Sequence, residues 1–330
     1  MECMVDPFHI LDVKLERRIA IGLLYIINDK RYFEHYKKGF IKHMPEFLLP
    51  KMRPKIIDDI IQGNDVIGKI AGINIKPIEF NDEKELEGYI TGIRNIKTED
   101  CTSLYIEDHK YISKEVINHI GNSLDMKIYK GNSIKVDHIP LVIKEIYNLL
   151  KEDLQKKEAL VLCKDKEMLK KMIKAISKDI KFITAIGCDN VDEEEIYEYI
   201  LEETGLSLFY SSNIDKILEN YGIIINLMDG FNLDVSKIRQ SCIIFDFSEQ
   251  SLLKNKGRKS NIYNRIEDFV FDLKDMRINE VKWIDNKVHS DLYESLGRSG
   301  NQKISYLYSG NDYYTIEEYV NSFIKLRGKL

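Results

Sequence analysis

Between residues 159 and 247 the chain repeats one pattern: a short, nearly continuous apolar run, a turn, then a stretch with helical spacing. The runs are Ala159-Leu160-Val161-Leu162-Cys163, Phe182-Ile183-Thr184-Ala185-Ile186, Ser207-Leu208-Phe209-Tyr210, Ile223-Ile224-Ile225-Asn226-Leu227 and Cys242-Ile243-Ile244-Phe245-Asp246-Phe247. A strand wetted on one face alternates apolar and polar residues; these do not, so they read as strands buried on both faces. Between them lie Lys166 to Ser177, with Met168, Leu169, Met172, Ile173 and Ile176 on one side, and Asp192 to Glu203, with Ile196, Tyr199 and Ile200 inward. Ile214 to Asn220 reads as a short helix and Val235 to Arg239 as a helical turn. Strands alternating with helices predict a parallel sheet, because right-handed crossovers return each strand in the same direction and lay helices on both faces.

Upstream the pattern is looser. Leu15 to Asn28 reads as a helix, with the apolar run Ile19 to Ile27 too short to cross about 30 Å of hydrocarbon. Arg31 to His43 reads as another, and Pro45, Pro50 and Pro54 punctuate the next stretch of chain. Gly68 to Ile75 is strand-like, with Tyr89 to Ile93 as its expected partner. Ser103 to Ile106 and Lys127 to Tyr129 read as strands, and Ile112 to Leu124 and Leu141 to Leu154 as helices. The expected fold class is α/β: a Rossmann-like doubly wound parallel sheet in the C-terminal half with a smaller N-terminal α+β domain. The expected divisions are 1–98 for the α+β domain, 99–250 for the Rossmann-like domain, and 251–330 for an exposed loop and helical tail in which Tyr314 to Lys325 forms a closing helix.

Composition narrows the class further. At 330 residues, 44% hydrophobic and 31% charged, the chain is long enough to bury a core without metal or disulfide staples. The net charge of −5 argues against a chain built to bind nucleic acid. Five cysteines with no Cys-x-x-Cys argue for free thiols in a reducing, cytoplasmic setting. The N-terminal residues Met1 to Asp6 lack the basic and apolar segments of a signal peptide, and no membrane partner is expected. Abundant Ile, Lys, Asn and Tyr fit the AT-rich codons of a low-GC bacterial source.

In open α/β sheets ligands bind beyond the carboxyl ends of the strands. Those ends read Cys163-Lys164-Asp165, Gly187-Cys188-Asp189, Tyr210-Ser211-Ser212-Asn213, Asn226-Leu227-Met228-Asp229-Gly230 and Asp246-Phe247-Ser248-Glu249. If they line a cleft for hydroxyls or phosphates, the cofactor-binding residues are Lys164, Asp165, Gly187, Asp189, Asn226, Asp229, Gly230 and Asp246. They are also what strand ends meeting polar loops would look like. A dinucleotide fold wants Gly-x-Gly-x-x-Gly after its first strand, so that the backbone can approach a pyrophosphate. Here Leu162-Cys163-Lys164-Asp165-Lys166-Glu167-Met168 holds no glycine. Lys164 and Lys166 could attract an anion, but NAD or NADP would lose its close backbone contact.

Ile223-Ile224-Ile225-Asn226-Leu227-Met228-Asp229-Gly230 resembles the Ile-Asn-x-Thr-x-x-Gly strand of shikimate-dehydrogenase-like proteins, and Ile243-Ile244-Phe245-Asp246 resembles their following strand, which ends in Asp. The resemblance covers residues 155–250 by pattern and implies a nicotinamide-binding domain behind a smaller α/β domain, closed by a returning C-terminal helix. Gly72-Ile73-Asn74-Ile75-Lys76-Pro77 echoes the family's Asn-Val-Thr-x-Pro-x-Lys signature, but the position of its lysine falls on Phe80 and no Gly-x-Asn-Thr-Asp segment is present. The implied relative is a degenerate Rossmann domain with a changed ligand or none.

Other constellations have two readings each. Lys30 to Lys55 mixes cations with Tyr32, Phe33, Tyr36, Phe40 and Phe47, as a solvated helix face or as a site for a small anionic ligand. Asp189 to Glu203 is acidic, as a solvated helix or as the counterpart of that basic segment in another subunit. Asp137-His138 is an acid–base pair or a turn leading into a helix. Cys163 and Cys188 close two neighbouring strands as buried apolar groups or at a cleft edge. Glu249 to Arg265 is a lid or an exposed loop. None of the seven histidines stands at metal-ligand spacing from another, so no metal is expected. Two functions are open to such a chain. One is a non-catalytic binding, assembly or regulatory module that lost its glycine-rich cofactor loop, with a homodimer or protein partner; the other is an NAD(P)-dependent oxidoreductase acting on a small molecule.

Overall fold

The computed structural model describes residues 22–36, 53–75, 82–188, 190–210, 216–231, 233–248, 264–274, 282–298 and 302–325. The chain falls into two compact units, Met1–Lys127 and Ile128–Leu330.

The N-terminal unit is built on a four-stranded sheet. In chain order it contains β1 (Gly22–Ile27), α1 (Asp29–Tyr36), β2 (Lys55–Gln62), β3 (Asp65–Gly72), α2 (Glu83–Ile96), β4 (Cys101–Ile106) and α3 (Lys114–Leu124). The sheet runs β2-β3-β1-β4, with β1 parallel to both β3 and β4 and β2 antiparallel to β3.

Two expectations are corrected here. The helix expected over Leu15 to Asn28 is a strand across Gly22–Ile27; residues 15–21 lie outside the described residues. All six residues of β1 are buried and Leu23 to Ile26 are paired on both sides, so its run of large apolar groups carries no helical face. Gly22 seals the register, because a Cβ there would lie 2.2 Å from the Asp100 carbonyl oxygen. Conversely, the strand expected at Tyr89 to Ile93 lies inside α2, where Tyr89, Ile90, Gly92 and Ile93 make one buried face. The Asp82 side chain caps that helix by accepting the Lys84 N–H, and Glu83 and Glu85 sit in the first turn where the macrodipole favours them. Lys127 makes a single bridge to Ser103 in place of the expected strand Lys127 to Tyr129. The second expected helix, Arg31 to His43, is seen as α1 up to Tyr36; residues 37–43 lie outside the described residues.

The C-terminal unit opens with α4 (Asn132–Leu150), followed by β5 (Glu158–Leu162), α5 (Lys166–Ile176), β6 (Phe182–Ile186), α6 (Asn190–Thr204), β7 (Phe209–Tyr210), β8 (Ile223–Asn226), β9 (Ile243–Asp246) and β10 (Asn264–Ile266). These strands form one six-stranded sheet, β10-β9-β8-β5-β6-β7, parallel throughout. Burial explains the composition of the runs. Leu160, Leu162, Ile224 and Ile244 meet a cluster with Leu218, Tyr221, Met228, Leu233 and Ile238. The alternate residues Ala159, Val161, Ile223, Ile225, Ile243 and Phe245 are buried as well, so neither face is wet. Among the described residues between β7 and β9 lie two 3-10 turns, Leu218–Asn220, within the stretch Ile214 to Asn220 that reads as a short helix, and Val235–Lys237, within the helical turn expected over Val235 to Arg239; residues 211–215 and 232 lie outside the described residues.

His138 does not precede a helix; it lies inside α4, which continues through Pro140. Its ring is buried, with Nδ1 2.8 Å from the Ile134 carbonyl and Nε2 2.9 Å from the Gln302 carbonyl. Asp137 turns away to Lys171 at 2.6 Å, so the two do not act as a pair.

Beyond β10 the expectation of a loop and helical tail is also corrected. A second sheet, β12-β11-β13-β14, forms from β11 (Asp268–Asp272), β12 (Lys287–His289), β13 (Tyr306–Ser309) and β14 (Asp312–Tyr314), antiparallel throughout. Helix α7 (Ser290–Ser295) follows β12, and α8 (Ile316–Tyr319) follows β14 behind a capping box of Thr315 and Glu318. The segment Val320–Lys325 then winds as a π-helix, so Tyr314 to Lys325 ends helically in a shorter, irregular form. Phe269, Phe271, Val288 and Leu307 bury the inner face, and Phe269 packs on Phe245 and Phe247 of the parallel layer. Among the described residues no helix is long and apolar enough to cross a membrane.

Candidate functional site

The strand order read from the other edge is β7-β6-β5-β8-β9-β10. The chain therefore steps from β5 outward to β7, returns to the far side of β5 as β8, and steps outward again. This is the 3-2-1-4-5-6 order of dinucleotide-binding sheets, whose ligand crevice opens where the direction reverses. Here that point lies between the carboxyl ends of β5 and β8, at Cys163 and Leu227, where the Leu227 N–H donates to the Leu162 carbonyl at 2.8 Å.

Several of the expected site residues meet there. Asn226 is wholly buried at the end of β8; its Nδ2 donates to Asp246 Oδ1 at 2.9 Å, and its Oδ1 accepts the Met228 N–H at 3.2 Å. Asp246, 4% exposed, also accepts the Ser248 hydroxyl at 2.6 Å. These groups thus lock the ends of β8 and β9 together. Gly187 ends β6 with φ +113°, a conformation that excludes ordinary side chains. A Cβ there would lie 2.8 Å from both the Cys163 carbonyl oxygen and Met228 Sδ. The Cys188 thiol sits 3.6 Å from that same carbonyl. The space between β5, β6 and β8 is therefore packed with Cys163, Cys188 and Met228. Burial pushes the Cys163 thiol up to about 12.

Asp165 decides the electrostatics of the turn after β5. It is the N-cap of α5, and its Oδ1 accepts the Met168 N–H at 2.8 Å. A helix N-terminus attracts a phosphate through its unpaired N–H groups and its positive dipole end. Here the chain's own carboxylate takes that place and adds a negative charge. Lys164 is exposed on the same turn, and Gly230 is exposed with φ +75°. Asp229 is half-buried on the loop after β8, and Asp189 lies outside the described residues. A nicotinamide dinucleotide, which the fold type implies, does not fit these residues: its pyrophosphate would meet the Asp165 carboxylate on the turn after β5.

Lys166 is not free to serve an anion. It and Lys170 both hydrogen-bond Glu195 of α6, Lys166 also reaches Asp192 at 3.2 Å, and Lys174 pairs with Glu203. Those hydrogen bonds hold the Glu195 carboxyl down to about 2. Asp192, Glu195 and Glu203 of the expected acidic run thus find their counter-charge on α5 of the same chain. Among the described residues no group of three or more His, Cys, Asp or Glu could hold a metal ion. The expected lid, Glu249 to Arg265, falls outside the described residues up to 263, and Arg265 lies in β10 and pairs with Glu267.

A polar cluster in the N-terminal unit escaped the sequence. Past the carboxyl ends of β1 and β4, Glu107 Oε2 accepts the Asn28 N–H at 2.7 Å, Asp108 Oδ2 accepts Asn28 Nδ2 at 3.0 Å, and Arg31 pairs with Glu107. Asn28 Oδ1 in turn accepts the Arg31 N–H at 2.9 Å. This arrangement caps α1 and pairs Arg31 with one of its two carboxylates, Glu107. The one legible sign is Asn28-Asp29, a helix-starting pair at the very end of the helix expected over Leu15 to Asn28.

No protein-family model matches the chain, and no curated protein matches it. Among solved structures, it is similar to shikimate dehydrogenase from Aquifex aeolicus, at 11% identity and TM-score 0.32, over 80% of this chain and 88% of that one. It is likewise similar to quinate dehydrogenase from Corynebacterium glutamicum in complex with NAD, at 10% identity and TM-score 0.31, over 71% and 83%. Dipicolinate synthase, A chain, from Bacillus subtilis aligns at 12% identity and TM-score 0.32, over 69% and 80%. Superpositions this loose carry no argument about ligand or reaction; the Rossmann-like character of the layer rests on its own strand order and parallel register.

Proposed function

We propose that the parallel layer is a Rossmann-like scaffold put to a non-catalytic use, in binding, assembly or regulation, and not to hydride transfer. The observation that carries this reading is the Asp165 carboxylate on the first turn of α5, where a cofactor pyrophosphate would need bare N–H groups. Met228 over Gly187 supports it from the other side of the switch point. The strand order alone favours the second reading, an NAD(P)-dependent oxidoreductase. A protein partner or a second copy of the chain is the ligand class that such a scaffold serves. That Cys101, Cys163, Cys188 and Cys242 form no disulfide supports a reducing, cytoplasmic setting.

Titration calorimetry of the full chain with NAD, NADP, ATP and S-adenosylmethionine, beside its solution mass by light scattering, tests this. The expected result is no heat from any of the four and a mass of a dimer or larger assembly. Saturable binding of NAD or NADP would overturn the proposal in favour of the oxidoreductase.

A further inference from the structure

The carboxyl ends of β5 and β6 bring together two thiols, and their chemistry goes beyond filling space. Leu162 is registered with Ile186, and the Cys163 N–H continues the ladder by donating to the Ile186 carbonyl at 2.9 Å. Cys163 therefore stands level with Gly187, and Cys188 is its diagonal neighbour. A spacing of about 4.8 Å between strands and a rise of about 3.3 Å along them put such Cα atoms about 6 Å apart, within the roughly 4.4–6.8 Å that a disulfide spans. Spacing alone does not make a pair: in a continued strand Cys188 would point to the face opposite Cys163. Gly187 breaks that alternation, because its φ of +113° turns the next residue round. The Cys188 thiol thus lies over the turn after β5, 3.6 Å from the Cys163 carbonyl oxygen and 4.0 Å from that of Lys164.

The two thiols differ in kind. Cys163 is 1% exposed, and its Sγ donates to the Asp165 carbonyl at 3.3 Å. Burial keeps it protonated. Cys188 is half-buried, so a small solute meets it first. Near it stands an orphan donor: the Tyr210 hydroxyl, at the end of β7, is buried and among the described residues has no hydrogen-bond partner. Burial first, then Cys188 and Glu193, push that hydroxyl up, so it keeps its proton. A buried hydroxyl without a partner costs free energy. An oxygen added to Cys188 supplies the missing acceptor.

We propose that Cys188 is an oxidation site for hydrogen peroxide and that Cys163 is the thiol that resolves it. The Cys188 sulfur bonds one peroxide oxygen and the O–O bond breaks; the other oxygen leaves as hydroxide and takes the thiol proton to become water. Cys188 is now a sulfenic acid, whose oxygen accepts from Tyr210. The Cys163 sulfur then bonds the Cys188 sulfur, the S–OH bond breaks, and the hydroxyl leaves with the Cys163 proton as a second water. Two thiols are oxidised to one disulfide across β5 and β6, and the peroxide is reduced to water. The burial that shields Cys163 from external reagents does not shield it from a neighbour held beside it. Neither nucleotide binding nor assembly enters this chemistry, so calorimetry and solution mass bear on neither its success nor its failure.

Hydrogen peroxide added to the full chain, followed by blocking of the remaining thiols and peptide mass mapping without reductant, is the test. The expected product is a peptide pair joined through Cys163 and Cys188, lost on treatment with dithiothreitol. Cys188→Ser should abolish the link. Cys163→Ser should leave Cys188 as a sulfenic acid that dimedone captures, and Tyr210→Phe should slow that capture about 10-fold, the worth of one hydrogen bond. A wild-type Cys188 that stays reduced, or carries dimedone in place of the link, would overturn the proposal, as would a link joining other cysteines. The wild-type map decides even if a variant does not fold.

Discussion

Asp165 Oδ1 holds the Met168 backbone N–H at 2.8 Å and so closes the N-terminus of α5 with the chain's own carboxylate. In a dinucleotide fold this turn is kept bare for an anion. Here it has become a helix cap, and a cap has a measurable stability. Asp165→Ala should destabilise the C-terminal unit by about 0.5–2 kcal/mol, while Asp165→Ser, which keeps an acceptor, should recover most of it. Denaturant titration of the three proteins checks this; equal midpoints would show that the cap adds nothing.

Gly187 should not tolerate a methyl group. Its φ of +113° is strained for any L residue, and the added carbon would press on a backbone carbonyl as well as on Met228. Gly187→Ala should cost about 1–3 kcal/mol. Met228→Ala in the same chain should relieve only part of this, because the Cys163 carbonyl cannot withdraw. Thermal unfolding of the single and double variants separates the two contributions.

The Asn226–Asp246 hydrogen bond is wholly internal. Asn226→Ala leaves the Asp246 carboxylate short of a donor in a buried place and should cost about 1–3 kcal/mol. Asn226→Asp should cost more, since two carboxylates would then stand where a donor met an acceptor. A chemical denaturation series on the two variants reads the order directly, and the reverse order would mean that the pair is wetter than its burial indicates.

Thiol chemistry should follow burial. Desolvation pushes Cys163 and Cys242 each up to about 12. Only the thiolate alkylates, so at about pH 8 both should resist iodoacetamide in the native protein and react once it is unfolded. Peptide mass mapping before and after denaturation distinguishes this from a reactive Cys163 poised at an open cleft.

Acid should loosen the contact between α5 and α6. Glu195 has its carboxyl lowered from 4.5 to about 2, first by the hydrogen bond from Lys166 and then by that from Lys170. A depressed carboxylate stabilises the fold above its unfolded value, and that contribution is lost as the pH falls from about 4.5 through about 2. Glu195→Gln should flatten the stability profile across this window. The effect should be small and shrink with added salt, because the pair is exposed. Unfolding midpoints measured against pH for both proteins settle it.

The parallel layer is legible because its strands are buried on both faces, a demand that shows in each run of five residues by itself. Ala159 to Cys163 and Ile223 to Leu227 need no neighbour to be read as inner strands. Gly22 to Ile27 obeys the same rule yet reads as helix, since the apolar run Ile19 to Ile27 leading into it is long enough for either structure and only pairing with β3 and β4 decides between them. The missing glycines after β5 are likewise visible in the sequence, and so is Asp165 one residue before a helix. What fills the crevice is not. That Met228 lies over Gly187, or that Glu195 answers Lys166 and Lys170, depends on groups brought together from distant parts of the chain. The C-terminal sheet shows the limit most clearly: Asp268 and His289 are 21 residues apart, and nothing in their local spacing marks them as partners. Local burial writes itself into composition and period; the identity of a side chain's partner is set by how strands pair, and pairing exists only in the folded chain.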